Sequence, residues 1–386
     1  MKNKKKYIII TPFFPNTKSH IGSYVYDQAR TIFSLSDYQV EIIKVVSIWS
    51  LEQDYVFKGL KVYIFRVLDL PFFILPGIFN FINSIRIVSF IKNRFNTNNL
   101  KIVHGHVSYP SVYLANILSD KFRIKTIAQH HGFDILQLLN GRSSLISNLQ
   151  RKYVLNQSIQ QLNLVDLNVF VSKRIKNELC NFPQYQPRNE YILYNGVDRN
   201  KFYPLSNKVS CFFEIGCIAN FWPIKDHISL IKAVEMLVKD DGYDDIILRL
   251  IGKGETLNYC HNYVLENKLD KYVVFEEERS HEKLNCFYNE IDLFVLPSYY
   301  EALGCVLLEA WATNTPIISI KNQGIEELLP INELDDLLAE KRDPKSLKEK
   351  IIGQYKRKRK FIFNENYNIN NTIKDFLSLD IFAAND

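Results

Sequence analysis

The chain has 386 residues, 47% of them hydrophobic and 23% charged, with a formal charge of +6. That length exceeds one ordinary core and suits two domains of comparable size, and the balance excludes a disordered or fibrous chain. The modest basic excess, denser at residues 2–6 and 356–360, favours anionic partners without choosing among nucleotide phosphates, phospholipids and nucleic acid.

The N-terminal MKNKKKYIIITPFF holds an apolar run of only a few residues before Thr11 and Pro12. A buried first strand is therefore expected in place of a secretory leader. Short β-branched runs then alternate with helical patterns. Strands are predicted at 7–10, 40–45, 61–67, 101–107, 125–132, 167–172 and 191–197, then at 211–219, 246–252, 272–277, 293–298 and 316–320. Between them HISLIKAVEMLVKD (227–240) spaces its apolar residues by three and four, as an amphipathic helix does. Such alternation implies α/β units with parallel sheets. The polar stretch 199–207, with NKFYPLSN at its heart, separates the two runs and is expected to be the hinge. Domains are accordingly expected at 1–205 and 206–365, with a C-terminal helix within 366–386 packing back on the first. Ligands should sit at the carboxyl ends of the strands, in a cleft between the two domains.

No segment reaches the ~18 apolar residues of a membrane span. The nearest, LPFFILPGIFNFI (70–82), is interrupted by Pro71, Pro76 and Gly77. The six cysteines, Cys180, Cys211, Cys217, Cys260, Cys286 and Cys305, show no CxxC pair and no regular spacing. They are expected to be reduced and mostly buried in a cytoplasmic protein, with no disulfide frame or zinc site.

Two loops carry features of an anion site. In FFPNTKSHIGSYVYDQAR, Gly22 and Ser23 open a helix, where free backbone N–H groups and the dipole would meet a phosphate. A plain strand-to-helix turn needing glycine competes with this and is preferred on the feature alone. In EALGCVLLEAWA, Glu301 ends a loop, Gly304 allows close backbone approach, and Cys305, Val306 and Leu307 would offer unpaired amides to a diphosphate. On one straight helix Glu309 would lie about 80° round and ~12 Å along from Glu301. That spacing argues against a glycosidase-type carboxylate pair. Each acid can instead accept from hydroxyls on a separate part of an extended ligand, although for Glu301 an acid facing the helix dipole fits equally well. Lys225, between a strand ending near Ala219 and helix 227–240, would place an ammonium at the cleft rim to offset phosphate charge. A lone loop lysine is more often simply solvated.

His104 and His106 are spaced HxH, which on a strand points both rings to one face, and His130 and His131 are adjacent. No acidic partner motif accompanies them, so no metal site is expected. For His131, a polar wall of the cleft competes with a role at substrate.

Together these residues resemble the retaining, nucleotide-sugar-dependent glycosyltransferases of family 4, the group 1 glycosyl transferases. The likeness runs from about residue 7 to 345. HIGSYVYDQAR resembles that family's glycine loop, KIVHGHVSYPSVYLANIL its His-x-His segment and AQHHGFD its His-Gly-x-Asp. LVDLNVFVSKRIKNEL is similar to its strand leading to a serine and a basic helix start, and LYNGVDRNKFYP to its Asn-Gly-Val-Asp hinge. IANFWPIKDHISLIKA resembles its lysine loop, LIGKGE its Gly-x-Gly turn, VLPSYYEALGCVLLEAWATNTPII its Glu-x7-Glu signature and QGIEELL the turn that follows. Single pieces are weakly specific; their joint order is not.

The resemblance implies a GT-B fold, α/β, with two Rossmann-like domains facing each other across a cleft. It implies that Glu309 holds ribose hydroxyls and that Glu301 contacts the donor sugar. The backbone of Ala302, Leu303, Gly304, Cys305 and Val306 would cradle sugar and β-phosphate. Lys225 would stabilise the diphosphate, Gly22 and Ser23 would approach it, Asn220, Gly252 and Lys253 would line the donor site, and His131 would lie near the reacting centre. Asn195 and Asp198 would be hinge residues. Three departures stand out: Asn220 where the family has an arginine, Ile21 where it has a glycine, and Asp226 for the glycine after the lysine. Lys253 and Arg279 are candidate substitutes for the absent cation.

The expected function is transfer of a hexose-type unit from a UDP- or GDP-sugar to a glycan or lipid-linked glycan, with retention, in surface polysaccharide or lipopolysaccharide biosynthesis. No residue stands out as a nucleophile, so front-face attack is implied, without cofactor or metal and without a nucleic-acid partner. A cytoplasmic location follows. Residues 70–82 with Arg86, Lys92 and Arg94 would suit peripheral contact with the inner membrane surface; a partly buried helix and loop is the preferred alternative. QYKRKRKF is expected to be a solvated helix face. Two other functions compete: a non-catalytic sugar-nucleotide binder, favoured by Asn220, and a nicotinamide oxidoreductase, disfavoured because no GxGxxG follows a strand.

Overall fold

Near-continuous runs of Val, Ile and Tyr make strands buried on both faces, and this chain uses them in two sheets. A computed structural model describes residues 4–17, 19–69, 77–132, 145–205, 211–357 and 360–383. One compact unit comprises Met1–Asn195 with Ile369–Asp386, the other Gly196–Asn368.

The first unit holds β1 (Lys6–Thr11), β2 (Gln39–Ser47), β3 (Tyr55–Phe57), β4 (Leu60–Val67), β5 (Leu100–His106), β6 (Lys125–His130), β7 (Leu167–Phe170) and β8 (Glu190–Ile192). Their order across the sheet is β3-β4-β2-β1-β5-β6-β7-β8. Every neighbour is parallel except the β3–β4 hairpin. β1 is central, with Ile9 paired to both Ile42 and His104. Its residues alternate between faces. Tyr7 and Ile9 pack with helix Ser23–Leu35 and with Ile369, Ile373 and Phe376 of helix Ile369–Leu377. Ile8 and Ile10 pack with Ile87 and Ile91 of helix Asn80–Arg94 and Leu114 and Leu118 of helix Tyr113–Phe122. Each such buried side chain contributes roughly 1.5–3 kcal/mol.

The second unit is an all-parallel sheet of β9 (Phe213–Ile218), β10 (Ile246–Ile251), β11 (Val273–Glu276), β12 (Leu293–Val295), β13 (Ile317–Ile320) and β14 (Leu338–Ala339), in the order β11-β10-β9-β12-β13-β14. Helix His227–Lys239 turns Leu230, Ile231, Val234 and Leu237 onto it.

Five expectations need correction. The edge strands β3 and β14 were not foreseen, being three and two residues long. The predicted strand 191–197 leaves the sheet after Ile192. The units divide at Asn195/Gly196 and not after residue 205. The stretch expected to be a hinge packs into the second unit as far as it is described: Phe202 is 2% exposed, and the Tyr203 N–H bonds Asn285 Oδ1 at 2.9 Å. Finally, Cys180, Cys211 and Cys286 are exposed, so burial holds only for Cys217 and Cys260, with Cys305 between. Among the described residues no helix is long and apolar enough to cross a membrane.

Candidate functional site

The carboxyl ends of β9, β10 and β12 gather most of the residues predicted for a ligand. After β9 the chain turns through Pro223–Lys225 into helix His227–Lys239. Three contacts fix this loop. Phe221 N–H bonds the Lys253 carbonyl (2.9 Å), Thr256 N–H bonds the Phe221 carbonyl (2.9 Å), and Tyr299 N–H bonds the Ile224 carbonyl (3.0 Å). Gly252 makes the fit possible: with φ at 149°, its missing Cβ would stand 2.0 Å from the Ala219 carbonyl oxygen.

So held, the Lys225 ammonium forms an ion pair with Glu301, both side chains mostly buried. The Glu301 N–H in turn bonds Gln323 Oε1 at 2.7 Å. Sequence gave these two residues separate tasks; the fold brings them into contact. The Lys225 charge also helps to lower His227, whose imidazole falls to about 4, chiefly through burial.

Glu309 lies on helix Cys305–Ala312, which Gly304 opens. The Tyr288 hydroxyl donates to its Oε2 at 2.8 Å, and His281 Nε2 lies 3.2 Å from Oε1. Burial first, then the Glu309 charge, push the Tyr288 phenol well up, so it stays protonated and donating. Neither Tyr288 nor His281 was singled out from sequence. His281 lies in the turn after β11 and Tyr288 on the helix Leu284–Glu290 that follows, and neither belongs to a motif that marks it. The two carboxylates thus have different partners, Lys225 for Glu301 and Tyr288 with His281 for Glu309. Of the expected amides, that of Leu307 bonds the Gly304 carbonyl at 2.9 Å and is unavailable. The Leu303 side chain is buried, while those of Ala302 and Val306 are partly exposed.

The candidate second cations fare poorly. Asn220 is exposed and neutral. Lys253, largely exposed, pairs with Glu278 at 2.7 Å. Arg279 is held by Glu276 (2.6 Å) and Glu290 (3.4 Å), which also bind Arg249, so its charge is already offset.

In the first unit the corresponding strand ends are those of β1, β5 and β6. Gly22, with φ at 87°, is pressed against the Phe13 carbonyl, where a Cβ would come within 2.5 Å. The Ser23 N–H and hydroxyl both reach the His20 carbonyl, at 3.1 and 2.6 Å. The amide expected to be free at Ser23 is therefore occupied, and the plain turn accounts for Gly22. His131 follows β6, its Nε2 2.9 Å from His106 Nδ1 and its ring 4.7 Å from that of Tyr24. Among the described residues no three His, Cys, Asp or Glu side chains are grouped to hold a metal ion.

The family model described as Glycosyltransferase Family 4 matches residues 21–201, and that described as Glycosyl transferases group 1 matches residues 206–370. An uncharacterised glycosyltransferase of Methanocaldococcus jannaschii is 29% identical over 72% of this chain and 70% of its own length. A UDP-Gal:alpha-D-GlcNAc-diphosphoundecaprenol alpha-1,3-galactosyltransferase of Escherichia coli is 28% identical over 43% of this chain and 45% of its own. Among solved structures, HepE of Anabaena in complex with UDP and glucose superimposes with a TM-score of 0.71 at 16% identity, covering 97% of this chain and 100% of that one. That likeness establishes the fold, two Rossmann-like sheets of the GT-B kind.

Proposed function

The chain belongs to the family 4 glycosyltransferases, the group 1 glycosyl transferases, and on that footing we propose that it moves a hexose-type sugar from a UDP- or GDP-sugar to a glycan or lipid-linked glycan with retention. The observation that carries this is the anchored Glu309 carboxylate, held by Tyr288 and His281 at a helix opened by Gly304. The Lys225–Glu301 pair stands on loops stitched to one another nearby in the sequence order of the same sheet.

Glu309 accepts from the vicinal ribose hydroxyls, a task suited to a carboxylate fixed in one rotamer. Lys225 turns from Glu301 toward the donor diphosphate, which frees Glu301 to accept from sugar hydroxyls. Backbone from Ala302, Leu303, Gly304, Cys305 and Val306 approaches the β-phosphate. As the glycosidic bond to phosphate breaks, charge grows on the leaving diphosphate, and the ammonium stabilises it there. The departing phosphate takes the acceptor proton while the acceptor oxygen attacks the same face. His131 touches the reacting sugar or the acceptor. We take the reaction to need no metal and no nucleic acid.

The E. coli relative, by its name, uses UDP-galactose and a lipid diphosphate acceptor, and the Anabaena structure holds UDP. These support a uridine donor and an acceptor at the cytoplasmic membrane face, in polysaccharide assembly. Peripheral membrane contact is supported by helix Asn80–Arg94, which exposes Phe81, Ile82 and Ile85 beside Lys92. The test is incubation with UDP- and GDP-sugars, reading product and its anomeric configuration; an inverted product refutes the mechanism. A second function, binding without turnover, draws on Asn220 and on a Lys225 already paired with Glu301. Nucleotide binding with no transfer to any acceptor would favour it.

A further inference from the structure

Three imidazoles and a phenol line up inside the first unit. Tyr7 Oη lies 2.7 Å from His104 Nδ1, the His104 and His106 ring centres are 4.4 Å apart, and His106 Nδ1 lies 2.9 Å from His131 Nε2. The His106 and His131 rings are nearly parallel, at 12°. His104 and His106 are wholly buried. Val107, next in the chain, has φ at 74°, a left-handed conformation that costs a β-branched residue about 1–3 kcal/mol. Its N–H is held by the Gln129 carbonyl at 3.0 Å. Strain of that size persists only where the surroundings over-determine the conformation.

A hydrogen bond between two ring nitrogens needs one donor and one acceptor. Burial above all, then the neighbouring rings, holds His106 well below its ordinary pKa and brings His104 to about 3, so each ring carries one proton. His106 Nε2 is buried and reaches no partner among the described residues. A proton there would be a buried donor with no protein acceptor, whereas on Nδ1 it is used and Nε2 keeps only a lone pair. Buried donors without acceptors are the rarer and costlier arrangement.

We propose that His106 donates from Nδ1 to His131 Nε2 and so fixes His131 as the neutral Nδ1–H tautomer. His106 is then a positioning residue, because the hydrogen bond at one imidazole nitrogen decides which form the other takes. The consequence, which rests on the glycosyl-transfer function above, is that a substrate hydroxyl meeting His131 at Nδ1 accepts from it. His131 does not remove a proton at that atom. This fits a reaction in which the leaving phosphate takes the acceptor proton.

The test is a long-range proton–nitrogen spectrum of protein labelled at its eight histidines, with His131 assigned through His131→Gln. Expected are a protonated Nδ1 and a bare Nε2 on His131 in the native chain. His106→Leu should shift it toward the Nε2–H form, whereas His106→Asn, which restores an amide N–H at the place of Nδ1, should keep the native tautomer. A protonated His131 Nε2 in the native chain, or an unchanged tautomer in His106→Leu, overturns the proposal. Should His106→Leu not fold, the native and His106→Asn spectra decide it alone. Turnover separates the two claims: kcat should fall about tenfold or more in His106→Leu with donor KM within about twofold, and recover in His106→Asn. A native chain with the expected tautomer and no transfer would overturn the glycosyl-transfer function and leave the His106 assignment standing.

Discussion

Tyr288→Phe removes one hydroxyl and nothing else from a side chain that is fully buried. That hydroxyl donates to Glu309 Oε2 at 2.8 Å, leaving His281 as the carboxylate's other described hydrogen-bond partner. A hydrogen bond to a charged group contributes about 1.5–3 kcal/mol, and phenylalanine leaves Glu309 Oε2 without that donor while adding no polar atom of its own. The Glu309 carboxylate is then free to turn about its last torsion, and the two ribose contacts lose their fixed acceptor. We expect unfolding free energy to drop by about 1–2 kcal/mol and nucleotide Kd to rise about tenfold, equivalent to about 1.4 kcal/mol. Calorimetric titration of UDP and GDP reads this without needing an acceptor. The same substitution in a Glu309→Gln background should weaken binding by less than about twofold, because residues acting through one contact do not add. Equal losses in both backgrounds would refute a role for Tyr288 through Glu309.

Other consequences are equally direct. Gly252→Ala forces a Cβ against the Ala219 carbonyl at a φ that L-residues avoid, and should cost about 3 kcal/mol in denaturant unfolding while loosening the Lys225 loop. His227 is neutral in both folded and unfolded chains above its ordinary pKa of 6.5; below that the unfolded chain takes up a proton that the folded one refuses until about pH 4. Stability should therefore decline by about 1.4 kcal/mol per pH unit through that window on this account, about 3 kcal/mol in all. His227→Phe, keeping the stack on Phe221, should lessen the slope there, and an unchanged slope would contradict the assignment. Proton NMR of fresh product should show the donor's anomeric configuration retained.

The sheets were legible because strands buried on both faces read as near-continuous apolar runs, as in β1. β3 and β14 are too short to leave a pattern. The stretch 199–207 reads as a hinge because it is polar by composition, yet Phe202 is a core residue and the Tyr203 and Leu205 N–H groups bond the side chains of Asn285 and Asn289. Motif spacing picked out Lys225, Glu301 and Glu309 individually. Their partners were not legible, since the Lys225–Glu301 contact spans 76 residues and Tyr288 and His281 sit in a segment without pattern. Free amides were overcounted at Ser23 and Leu307, where tight turns close hydrogen bonds three residues back.

The most direct measurement is mass spectrometry of product formed from a panel of UDP- and GDP-sugars with a mixed glycan and lipid-linked acceptor pool, comparing the native chain with Glu309→Ala and Lys225→Ala. The account predicts one sugar mass added by the native chain, and a loss of about a hundredfold or more in each variant. Near-native transfer in both variants would contradict it.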